Sequence, residues 1–180
     1  MSDHTTQAAD TVRIRIVTAA GTIEATVDTA HAPGTAANFL RYVDGGFYDG
    51  GLFHRTVTSA NQPNDAVRIE VIQGGVRPDR EDARFPPIPL ERTSVTGLAH
   101  RDGTLSMARR APDSAVSDFF LCIGDQPSLD FGGARNPDGQ GFAAFGQVVA
   151  GMEVVRRIQS APAVGQALTP PITITRIERA

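Results

Sequence analysis

Val12-Arg13-Ile14-Arg15-Ile16-Val17-Thr18-Ala19-Ala20-Gly21-Thr22-Ile23-Glu24-Ala25-Thr26-Val27-Asp28 decides the class of the fold. Val12, Ile14 and Ile16 alternate with arginines, Ala20-Gly21 interrupts, and Ile23, Ala25 and Val27 alternate with polar residues, the period of a half-buried strand on both sides of a turn. The stretch predicts a β-hairpin. Beyond it the period changes: Ala36, Ala37, Leu40, Tyr42 and Val43 recur at helical spacing between Pro33 and Gly45-Gly46, which predicts a helix over 33–44. Further strands are expected over 51–56, 67–73, 104–109, 119–123 and 143–149, a second helix from about Gly151 through Ile158, and a last strand over Ile172 to Ile177 covering one edge of the sheet. Seven or eight strands with two helices imply a mainly β fold, a closed eight-stranded antiparallel β-barrel capped by two α-helices.

Composition bounds the rest. A chain of 180 residues that is 41% apolar builds one core, so residues 12–180 are expected to form one domain behind a flexible N-terminal tail, 1–11. A net charge of −3 and the absence of any basic stripe give no reason to expect nucleic acid or an acidic membrane surface as partner. No run of 18 apolar residues occurs and the start lacks an apolar leader core, so a soluble protein of the cytoplasm or periplasm, acting as a monomer, is expected. Cys122 is the sole cysteine, has no internal disulfide partner, and lies in the apolar run Phe119 to Ile123, where it is expected to pack as a small hydrophobe. The four histidines are scattered without metal-ligand spacing, and Gly132-Gly133 lacks the lysine and helix of a phosphate loop, so neither metal nor cofactor is expected. Ser106, Ser114 and Ser117 lack the strand-turn-helix setting of a nucleophile elbow. Arg77 to Leu90, with four prolines, is a surface loop.

Three segments go beyond generic barrel character: Phe47-Tyr48-Asp49-Gly50 leading to Phe53-His54-Arg55, then Ile72-Gln73-Gly74-Gly75, then Phe119-Phe120-Leu121-Cys122 followed by Phe145-Gly146-Gln147-Val148. In this order they resemble the cyclophilins, the peptidyl-prolyl cis-trans isomerases, over about residues 12–178. The resemblance implies an eight-stranded barrel with a peptide groove on its outer face, proline-containing peptides and unfolded or folding proteins as partners, and Arg55 as the catalytic arginine. It also implies that Gln73 bonds substrate backbone or supports Arg55, that Phe120 floors the proline pocket while Phe119 points inward, and that Val71, Ala108, Leu129 and Phe142 line the groove.

Several positions depart from that pattern. Seventeen residues separate Arg55 from Gln73, an insert of about ten over the family's common short form, and its Ala60 to Asp65 stretch is read as a protruding hairpin beside the groove. Glu70 stands where a pocket phenylalanine is usual, Arg109 replaces an asparagine, Asp118 a glutamine, and Ser128 a frequent tryptophan. Glu70, Asp118, Arg55 and Arg109 are therefore expected to converge on one patch, with Glu70 paired to Arg55 or Arg109. Such crowding supports an alternative, a cyclophilin-like peptide- or protein-binding module with weak or no turnover.

Overall fold

The computed structural model describes residues 10–180. The expected tail falls mostly outside them, but Thr11 already belongs to a strand, so the domain begins a residue before the boundary read from the alternation. β1 (Thr11–Thr18) and β2 (Gly21–Asp28) form the expected hairpin, with Ile14, Ile16, Ile23, Ala25 and Val27 facing inward and fully buried. α1 (Pro33–Asp44) has the expected bounds. Pro33 supplies a preset first-turn dihedral and no orphan N–H, and Gly46, at φ +68°, turns the chain out of the helix.

β3 (Gly51–Val57), β4 (Val71–Gly75), β5 (Thr104–Met107), β6 (Phe119–Cys122), β7 (Ala144–Ala150) and β9 (Ala167–Arg179) complete a mainly β fold with α3 (Met152–Gln159). Each barrel strand pairs antiparallel with its neighbours in the order β1-β2-β7-β5-β6-β4-β3-β9, and β9 returns to β1. This is the closed eight-stranded barrel. The two-residue β8 (Ala163–Val164) only extends the turn into β9. A further single turn, α2 (Thr93–Thr96), escaped the sequence reading because four residues are too few to show a helical period.

Three expectations need correcting. The last strand does not cover an edge: β9 is longer than read and bonds β3 on one side and β1 on the other, so it closes the barrel. The strand expected over 67–73 starts only at Val71. Residues 60–65 are no protruding hairpin, since the insert carries no strand and Gln62 turns inward, 2% exposed. Its amide donates to Thr58 O and Ile69 O and accepts from Ile69 N, so one side chain satisfies the backbone of the loop it closes.

Phe39 of α1 fills the barrel beside Tyr48, Phe119 and Phe145, at ring separations of 5.4, 5.5 and 5.0 Å. α1 leaves the end of β2, whereas Val154 of α3 packs on Gly21 at its start, so the two helices lie at opposite ends of the barrel. A second apolar cluster lies outside the barrel wall: Val57, Ile69, Val71, Phe120, Cys122 and Leu129, with Ala108 and Phe142 against it.

Candidate active site

Register builds the site. Arg55 on β3 pairs with Gln73 on β4, Gln73 with Phe120 on β6, and Phe120 with Ser106 on β5, and residues paired directly across strands share a face. Between Phe53 and Arg55 the register shifts by one, leaving His54 as an extra residue. This bulge lets Phe53 point into the core while both His54 and Arg55 point outward.

The outer face holds a groove of about 290 Å³. Arg55, Gln73 and Arg109 supply its polar rim; Val71, Ala108, Phe120, Leu129 and Phe142 supply its apolar wall. Phe120 meets Phe142 edge to face at 5.7 Å. Eight of the ten residues singled out from the sequence therefore line one cavity. Ile69, Arg135, Asn136 and Pro137 line it as well.

Arg55 is fixed by two neutral amides. Its Nε donates to Gln166 Oε1 at 2.9 Å and its Nη1 to Gln73 Oε1 at 3.0 Å. Gln73 in turn donates through Nε2 to Asp118 Oδ2 at 3.0 Å, which orients its amide oxygen toward the arginine. His54 Nε2 lies 3.1 Å from the same carboxylate oxygen. A Cβ at Gly75 would fall 2.1 Å from Asp118 Oδ1, so glycine there admits the carboxylate. Among the described residues Nη2 of Arg55 has no hydrogen-bond partner, and no carboxylate forms an ion pair with its charge. Burial is the main influence lowering the Arg55 pKa, followed by repulsion from Arg135, and Asp65 acts in the opposite direction. Gln166, in the turn between β8 and β9, was missed because nothing in its local sequence marks a residue 111 positions away as the partner of Arg55.

The expected convergence of two acids with two arginines is not formed. Ile69, Val71 and Gln73 alternate onto the groove, so Glu70 turns to the other side and its Oε1 accepts from Gln159 of α3 at 3.3 Å. Asp118 faces an adjoining hollow and pairs with neither arginine. Arg109 is bound bidentately by Asp138, at 2.9 and 3.0 Å, and donates to Gly141 O. Its guanidinium lies 4.7 Å over the Phe142 ring, with the side chain 1% exposed. That pairing holds the Asp138 carboxyl below the usual carboxylate range.

Beneath Phe120 lies His100, its ring stacked at 6.1 Å, with Nδ1 2.7 Å from Asp130 Oδ1 and Nε2 2.8 Å from Ser106 Oγ. The order Ser-His-Asp is that of a nucleophilic triad, but Ser106 is fully buried and reaches no substrate. The row props the floor of the groove. Cys122 is buried and unpaired, and burial pushes its thiol far up, as befits a small hydrophobe. Among the described residues no three metal-ligating side chains cluster, and no helix is long and apolar enough to cross a membrane.

The closed β-barrel thus carries on its outer face a groove that is apolar on its floor and edged by an amide-held arginine. The chain belongs to the cyclophilin-type peptidyl-prolyl cis-trans isomerases: the family description "Cyclophilin type peptidyl-prolyl cis-trans isomerase/CLD" matches residues 12–179. It is 37% identical to peptidyl-prolyl cis-trans isomerase A of Dickeya dadantii over 84% of this chain and 73% of that one. It is 36% identical to peptidyl-prolyl cis-trans isomerase B of Escherichia coli over 71% and 72%. A Cryptosporidium parvum cyclophilin-type isomerase has the same fold, at 21% identity and a TM-score of 0.72 over 94% of this chain and 98% of that one. The same protein, in the presence of the dipeptide Ala-Pro, superposes with a TM-score of 0.70.

Proposed function

We propose that the groove isomerises X-Pro bonds in peptides and folding proteins, with Arg55 as its catalytic residue. Rotation about the bond meets a barrier of about 18–20 kcal/mol because twisting removes amide resonance. As the amide twists, the lone pair withdrawn from resonance returns to the prolyl nitrogen and becomes an acceptor. A donor aimed there binds the twisted state better than either planar one, which is the condition for acceleration. Phe120, Leu129, Phe142 and Val71 hold the proline ring and exclude water, while Gln73 and Gln166 fix the guanidinium. No bond is made or broken.

The observation that carries this reading is Nη2 of Arg55, charged, held in place by neutral partners, and without a partner among the described residues beside an apolar pocket. The binding-only alternative drew on Glu70, Arg109 and Asp118 competing for Arg55, and each of these groups is engaged elsewhere. In an isomerisation assay on a short proline peptide, Arg55→Ala is expected to lower kcat/KM at least about tenfold, near 1.4 kcal/mol of transition-state stabilisation, with an unchanged circular dichroism spectrum. A parent protein that does not accelerate the reaction, or a variant as active as the parent, would overturn the proposal.

A further inference from the structure

Arg135 lies in the same groove, and nothing in the isomerisation chemistry requires it. It comes from the segment 131–141 and reaches across to the insert that precedes β4. Nη1 donates to Gln62 Oε1 at 3.0 Å and to Val67 O at 2.8 Å, and an Asp65 oxygen lies 3.5 Å away. The side chain is only 13% exposed. Its remaining donors, Nε and Nη2, have no partner among the described residues. They are also absent from the buried side-chain atoms that lack one, Thr35 Oγ1 and Ser117 Oγ, so both keep access to the groove's solvent.

The charge balance is uneven. Among the described residues Asp138 neutralises Arg109, whereas Arg55 has no paired carboxylate, and Arg135 has only Asp65, itself 47% exposed. Two guanidiniums thus face one small groove with a single, solvent-screened carboxylate between them. A neutral proline ring gains nothing from the second. Two adjacent donors on a rigid planar group fit a carboxylate.

We infer that Arg135 makes the groove select prolines flanked by an acidic residue, receiving the aspartate or glutamate carboxylate of the bound chain on Nε and Nη2. This rests on the groove being the proline site. The test is a set of anisotropy titrations with labelled short peptides that carry alanine, glutamate or lysine immediately before or after a central proline, and a matching peptide with that proline replaced by alanine. Glutamate on one side is expected to tighten binding at least about fivefold over alanine, lysine to weaken it, and added salt to shrink the difference. Arg135→Gln should bring the glutamate-to-alanine ratio toward one. Asp65→Asn, which removes an exposed competing carboxylate, should raise it. Glutamate peptides that bind no tighter than alanine ones, or an advantage that survives Arg135→Gln, would overturn the inference. If replacing the proline costs no affinity, the proline reading fails instead, and the charge comparison still stands by itself.

Discussion

His100 shows how much of this site depends on uncharged, buried partners. Burial pushes its pKa below the usual value, against the pull of Asp130, and the ring supports Phe120. In the unfolded chain the imidazole takes up a proton near pH 6.5. The folded protein resists protonation to lower pH, so this group's contribution to stability is whole above about pH 6.5 and is lost as pH falls toward the folded pKa. The midpoint of thermal unfolding should therefore drop between pH 7 and pH 5, and His100→Gln should show a shallower drop. Equal slopes for parent and variant would remove His100 as the cause. Nothing in the sequence marked this residue, because its partners Ser106, Phe120 and Asp130 meet it only through the packing of β5 and β6 against the 126–130 turn. Arg55, Gln73 and Phe120 were legible, since each sits inside a short local pattern. The mistake over Glu70 was one of local geometry: alternation carries Ile69 to the groove, and no bulge intervened to bring its neighbour there.

At the scale of elements, two irregular segments build one wall. The 58–70 insert and the 131–141 loop are joined by Arg135 through Gln62 and Val67, and Gln62 also fixes the backbone of Ile69, a lining residue. Gln62→Ala would strand the Ile69 amide and carbonyl and take from the Arg135 guanidinium one of its partners, leaving Val67 O and Asp65. A loss of about 2 kcal/mol in urea unfolding is expected, within the range for a buried polar group deprived of its partner. A loss under about 0.5 kcal/mol, the scatter of ordinary surface substitutions, would mean that water replaces the amide. Turn chemistry in Ala60 to Asp65 was legible, but turn residues specify bends and not what a long loop folds onto. The regular elements were read more faithfully: the first hairpin and α1 carry their own periods, whereas the extra length of β9 lies beyond a Thr-Pro-Pro run that breaks the alternation.

For the whole molecule, closure is the governing fact. β9 fills the gap between β1 and β3, burying Ile174 and Ile177 in the common core. Burial of these two side chains contributes about 3–6 kcal/mol, comparable to the whole stability of an ordinary domain. A chain ending at Pro171 would also leave two unpaired strand edges, so it should show no cooperative thermal transition by circular dichroism, and a sharp transition would disprove the need for closure. The sequence carried the barrel as a class through its strand count, but not the seam, since the join between Ile14 and Arg179 is between segments from opposite ends of the chain.

That seam bears on how the protein is made. Ile16 and Ile177 are register partners, so β1 emerges from a ribosome early and waits for nearly all the rest of the domain before its second neighbour exists. At translation rates of about 5–20 residues per second the wait is roughly ten to thirty seconds, far longer than a hairpin needs to form. Throughout that interval β1 can pair only with β2, and its other edge stays open to foreign strands. The nascent isomerase thus carries one unpaired strand edge until the last residues of the domain have been made.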